Sequence, residues 1–136
     1  MGAVLDTSVL IEVLDAGNAE LLDEILARYD GLLIPWVALY EYLYGHAYVG
    51  SDVRERKRLV EELGAVVWLD QRIVLRALGL DVGLSKNGLR IPFSDLLIAA
   101  TALEAGGELV TLDERHFKRI EGLRVYVPRP ARNPPH

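Results

Sequence analysis

The chain contains no cysteine. That absence excludes disulfide bridges, thiol nucleophiles and cysteine-ligated metal. Histidine is scarce as well: His46, His116 and His136 are the only three, and they show no paired ligand spacing. Zinc, which favours sulfur and imidazole ligands, is therefore not expected. No apolar run approaches the roughly 20 residues that a membrane-crossing helix needs. The opening Met1-Gly2-Ala3-Val4-Leu5-Asp6 meets an acid before any base, unlike a secretory leader. A surplus of positive charge is also missing, with 15 Lys and Arg against 20 Asp and Glu and a net charge of −5. Nucleic-acid binders usually carry a basic footprint. Divalent cations held by a concentrated acidic site would reverse the local field, so the total charge decides nothing by itself. A cytoplasmic protein with no membrane partner is the expectation.

What is present fits one globular domain: 136 residues, 51% hydrophobic and 26% charged. The expected domain spans residues 1–127. Pro128 to His136 contains four prolines and reads as an extended tail. Short apolar runs without polar alternation predict strands at Ala3–Leu5, Leu32–Ile34, Ala65–Leu69, Glu108–Leu112 and Arg124–Val127, each covered on both faces. Helical spacing connects Leu21, Leu22, Ile25 and Leu26 after Asn18 as a cap, and Val37, Leu39, Tyr40, Leu43 and Tyr44 in a second stripe. Leu59 and Leu63 with the charges from Arg54 to Glu62 predict a solvated amphipathic helix. Ser94 is positioned to cap a nearly all-apolar, buried helix that runs to the Gly106-Gly107 stop. Alternation of strand and helix predicts an α/β fold: three layers, Rossmann-like, with a mostly parallel sheet of four or five strands between helices. In such sheets ligands gather outside the carboxyl ends of the strands.

That rule gives four acids their interest. Asp6 follows the first predicted strand directly, and Asp113 follows Leu109-Val110-Thr111-Leu112 in the same sense. Asp95 lies in the first turn of the buried helix, and Glu41 sits among apolar and aromatic residues of the second stripe. Each also has an ordinary structural explanation. Asp6 can cap a helix begun by Thr7 and Ser8, Asp95 can complement the helix dipole, Asp113 can form a turn, and Glu41 can face solvent. Together they are harder to explain locally, because converging carboxylates repel and Lys and Arg are scarce around Asp6, Glu41 and Asp95. A hard cation with oxygen ligands, Mg²⁺ or Mn²⁺, relieves the repulsion and commonly serves phosphate chemistry. Thr7, Ser8 and Thr111 lie beside the acids, where they can hold a water or phosphate oxygen or serve as capping and strand hydroxyls.

Leu5-Asp6-Thr7-Ser8-Val9-Leu10-Ile11, Glu41 before Gly45, Asp95 through Leu103, and Leu109-Val110-Thr111-Leu112-Asp113 with Phe117 resemble the PIN-domain nucleases. Within them the chain is most similar to the VapC-like toxins of type II toxin–antitoxin modules, from Val4 to about Val127. The resemblance implies a Rossmann-like sheet, an acidic pocket binding Mg²⁺ or Mn²⁺, and cleavage of RNA by an activated water. It implies Asp6 and Asp95 as principal metal ligands, Glu41 as a ligand or water-orienting residue, and Asp113 as a fourth, more variable acid. It further implies a homodimer and an inhibitory antitoxin partner. A housekeeping RNA-processing nuclease, or an RNA- or protein-binding module that cleaves poorly, is the alternative.

Two surface features bear on partners. Tyr40, Tyr44 and Tyr48 share one helical face near Trp36, and fit either an interface or core packing. Arg115, Lys118 and Arg119 follow Asp113 at the expected pocket rim, where they can meet RNA phosphates. Arg54, Arg56, Lys57 and Arg58 are interleaved with acids and read as a solvated face. A receiver-type phosphoacceptor module expects paired acids after the first strand, and a haloacid-dehalogenase-like phosphatase expects an acid where Ser8 stands. Neither pattern is met.

Overall fold

A computed structural model describes residues 2–128. Five strands form a single sheet in the order β3-β2-β1-β4-β5: β1 (Ala3–Leu5), β2 (Leu32–Pro35), β3 (Ala65–Val67), β4 (Glu108–Val110) and β5 (Val125–Tyr126). Every neighbouring pair is parallel, with Val4 opposite both Leu33 and Leu109. Ala3, Val4 and Leu5 are all buried although successive side chains point to opposite faces, so helices cover the sheet on both sides. The chain runs outward from β1 through β2 to β3, then returns to the other flank of β1 for β4 and β5. The order therefore reverses between β1 and β4, and a crevice opens at their carboxyl ends.

The helices are α1 (Thr7–Leu10), α2 (Ala19–Arg28), α3 (Trp36–Tyr48), α4 (Val53–Leu63), α5 (Gln71–Lys86) and α6 (Phe93–Ala105). A wide turn at Ile11–Asp15 continues α1, with the Ala16 N–H reaching the Ile11 carbonyl. Asn18 caps α2 as expected, its side chain accepting from the Leu21 N–H at 3.0 Å. The solvated α4 is also as expected, with Arg58 bridging Glu55 and Glu62 and Lys57 meeting Glu61. Helix α6 is buried from Leu96 through Ala102 and stops at Gly106, whose φ of 67° is the left-handed conformation glycine adopts freely.

Several boundaries differ from expectation. The third strand ends at Val67, not Leu69, because its partner β2 finishes at Pro35 and turns into α3, leaving Trp68 and Leu69 exposed. β4 stops at Val110, not Leu112, since the Leu112 N–H bonds to the Ser8 hydroxyl and bends the chain into a turn. The last strand covers only Val125 and Tyr126. Ser94 does not cap α6: Phe93 opens it behind an extended Pro92, whose carbonyl accepts from the Leu96 N–H. Helix α5 has no counterpart among the expected elements. Asp70 caps it and Ile73, Ala77 and Leu84 face the core, but Gly79 and Gly83 weaken its helical signal. Of the proline-rich tail only Pro128 is described; the rest lies outside the described residues.

Candidate active site

The crevice at the β1–β4 reversal is an acidic pocket. Asp6, Thr7, Ser8, Ile11, Glu41, Asp95, Asp113, His116 and Phe117 line an open space of about 310 Å³. All four acids singled out in the sequence face it, delivered by β1, α3, α6 and the turn after β4.

Asp6 is the buried member, only 8% exposed. Its backbone N–H extends the ladder one residue beyond β1 by bonding to the Val110 carbonyl at 3.0 Å. Its carboxylate is held from three sides: Oδ1 accepts from the Thr7 N–H at 2.8 Å, and Oδ2 accepts from the hydroxyls of Ser8 at 2.9 Å and Thr111 at 2.7 Å. Burial raises the Asp6 pKa above the ordinary aspartate value, and the nearby charge of Asp95 adds to the rise. The hydroxyls of Thr111 and Ser8 and the Thr7 N–H oppose it, since each stabilises the ionised form. Thr111 is itself fully buried, and its oxygen also accepts from the Asp113 N–H.

The other three acids each have one firm partner. The Thr7 hydroxyl donates to Glu41 Oε1 at 2.8 Å, which fixes the one acid that α3 contributes. His116 Nδ1 lies 2.6 Å from Asp95 Oδ2. Arg115 grips both oxygens of Asp113, with Nη2 to Oδ2 at 2.7 Å, and lowers the Asp113 pKa by pairing with its charged form. Arg115 is thus paired with an acid at the exposed rim. Lys118 likewise pairs with Glu114, and Arg119 donates to the carbonyls of Leu89 and Arg90.

Among the described residues no three acids or histidines stand close enough to form a ready ligand cage. Mg²⁺ does not require one, because it keeps several of its waters and is often held by one or two carboxylates. The burial of Asp6, held only by hydroxyls and one N–H in a pocket shared with Asp95, fits such an ion, which would relieve the desolvated charge. The four acids offer only hard oxygen donors, which suits Mg²⁺ or Mn²⁺.

His116 and Phe117 also line the pocket, and the sequence alone assigns neither a place in the site. The available signal was the spacing from Asp113: a buried Phe117 anchors the short helical turn Phe117–Arg119 and so turns His116 toward α6. On α3, Tyr40, Tyr44 and Tyr48 are 59%, 60% and 82% exposed, so they are surface residues and not core. With Trp36 they form a ladder of rings 6.3–6.4 Å apart.

The chain is similar to known proteins along nearly its whole length. It is 32% identical to ribonuclease VapC1 of Rickettsia felis over 92% of this chain and 95% of that one. It is 29% identical to ribonuclease VapC1 of Methanocaldococcus jannaschii over 90% and 85%. The crystal structure of VapBC2 from Rickettsia felis, bound to a DNA fragment from its promoter, superposes with a TM-score of 0.85 at 23% identity over 94% of this chain and 99% of that one. The model of the PIN domain matches residues 3–123, and the chain belongs to the PIN-domain family.

Proposed function

We propose that the protein is a metal-dependent endoribonuclease, the toxin of a toxin–antitoxin pair. The observation that carries the chemistry is the convergence of Asp6, Glu41, Asp95 and Asp113 on one pocket at the switch point of a parallel sheet. The ribonuclease names of its relatives support RNA as the substrate. Asp6 and Asp95 are the residues to hold Mg²⁺ or Mn²⁺. Bound there, the ion would supply Lewis acidity toward a phosphoryl oxygen and acidify an attacking water. Glu41 is held by the Thr7 hydroxyl through Oε1 and keeps Oε2 to orient that water and take up its proton. Asp113 adds negative charge at the mouth, and Arg115 beside it can turn toward an RNA phosphate.

The toxin reading draws support from the surface. Leu69, Val74, Leu78 and Phe93 are exposed around an apolar groove of about 410 Å³, and the Trp36 ring links that groove to the tyrosine ladder of α3. So much exposed apolar surface suits a macromolecular partner, here a second copy of the chain or an antitoxin. No described helix is long and apolar enough to cross a membrane.

Cleavage of a structured RNA with Mg²⁺ or Mn²⁺, with EDTA, and by Asp95→Asn prepared identically tests the reading. Metal-dependent cleavage that Asp95→Asn lacks is expected. Glu41→Gln should lose most activity and Asp113→Asn less. Equal cleavage by wild type and Asp95→Asn would refute the site.

A further inference from the structure

We propose that His116 is a positioning residue for Asp95, holding its carboxylate in the orientation that binds the divalent cation. The inference rests on the metal-dependent reading above and extends it to a residue outside the four acids. The contact is close, 2.6 Å from Nδ1 to Asp95 Oδ2. An ionised carboxylate only accepts hydrogen bonds, so Nδ1 carries the hydrogen and donates it. That bond engages Oδ2, so Oδ1 is the oxygen left to serve the cation. A metal-binding carboxylate is commonly oriented by such a partner, and losing the partner weakens binding even though it never touches the ion.

The local chain makes the placement rigid. Phe117 is 2% exposed and buries its ring in the core directly beside His116. The Lys118 N–H bonds to the Glu114 carbonyl and the Arg119 N–H to the His116 carbonyl, closing the turn around it. The same segment carries Asp113 three residues earlier, so one short stretch after β4 brings both an acid and the holder of a second acid to the pocket. Asp95, for its part, sits in the first turn of a helix buried along nearly its whole length, so its backbone has little freedom to compensate for a lost partner. The His116 side chain is 35% exposed, enough for replacement without loss of core.

The test is Mn²⁺ affinity, followed by the paramagnetic resonance of the free ion in titrations of the intact protein, with melting temperature recorded for every variant. His116→Phe keeps ring bulk but has no donor, whereas His116→Asn sets an amide N–H near the position of Nδ1. His116→Phe should weaken Mn²⁺ binding by about tenfold to a hundredfold. His116→Asn should bind close to wild type, with all melting temperatures alike. Unchanged or tighter binding by His116→Phe, or equal losses in both variants, would overturn the positioning role. Asp95→Asn serves as the reference. If wild type itself bound no Mn²⁺, the metal-dependent reading would fall and this role with it, whereas binding lost in Asp95→Asn but kept in His116→Phe would remove only the role of His116.

Discussion

Thr111 offers a quantitative check on the electrostatics of the pocket. Its hydroxyl is fully buried, donates to Asp6 Oδ2 at 2.7 Å and accepts from the Asp113 N–H at 3.1 Å. Thr111→Val keeps the shape and removes the hydroxyl. A hydrogen bond to a charged group contributes about 1.5–3 kcal/mol. The Asp113 N–H stands near the surface, where water can replace its partner, so the expected loss at neutral pH is about 2–3 kcal/mol. For a domain of this size that corresponds to a fall in melting temperature of roughly 6–12 °C. The loss must depend on pH. The hydroxyl favours the ionised form of Asp6, whose pKa burial already raises, so its contribution is full above that pKa and fades as Asp6 is protonated below it. Calorimetry without divalent ions at neutral pH and near pH 4 measures both ends, with Thr111→Ser as a control that retains the hydroxyl. A Thr111→Val protein as stable as wild type, or one whose deficit grows in acid, would show that Thr111 does not support the Asp6 charge.

Asp6→Asn should abolish cleavage yet melt higher than wild type at neutral pH without metal. A carboxyl with a raised folded-state pKa stabilises the fold below its unfolded pKa, and that stability is lost as pH rises through the folded value. The advantage of Asp6→Asn should therefore shrink toward pH 4, and a deficit at every pH would contradict the burial argument. Mg²⁺ at about a hundred times its dissociation constant should stabilise wild type by about 2.7 kcal/mol and leave Asp6→Asn unmoved in differential scanning fluorimetry. Gly64→Ala should lose about 1–3 kcal/mol in chemical denaturation, because its Cβ would meet the Leu32 carbonyl oxygen at 2.4 Å and Ile34 Cδ1 at 2.9 Å. Wild-type stability there would mean that β2 and the start of β3 yield more easily than their packing suggests.

The buried centre of the sheet was legible because its residues obey one rule at a time. β1 is wholly and α6 nearly wholly apolar, and both are legible as buried elements in the sequence, although the start of α6 is not, since Ser94 does not cap it. The edges were harder. Trp68 and Leu69 have strand-like chemistry but lack a neighbour to pair with, and pairing is a tertiary fact that no local window contains. Helix α5 went unread for the opposite reason, since its exposed Val74, Leu75, Leu78 and Val82 blur the amphipathic contrast that marks a surface helix. In the pocket Asp6, Asp113 and Asp95 were visible from their strand-end and helix-start positions, and Glu41 from its place among the apolar and aromatic residues of α3. The partners of those acids were not. The pairing of His116 with Asp95 depends on how Phe117 packs, and the grip of Arg115 on Asp113 depends on a turn built around the Thr111 hydroxyl.

The ordinary explanations of these acids hold in the structure and do not compete with the functional one proposed above. Asp6 does cap α1, its Oδ1 accepting from the Thr7 N–H. Asp95 does lie in the first turn of α6, where the positive end of the helix dipole offsets its charge. Asp113 does form a turn, accepting from the Arg115 N–H at 3.1 Å. Each local device supplies part of the positive potential that a chain with few bases near its acids otherwise lacks. Each is also short in reach and spends itself on one or two oxygens. On the proposed reading, the repulsion that remains between Asp6 and Asp95 is what a divalent cation would relieve, and a compact ion would do so where a long basic side chain has no room to pair with both.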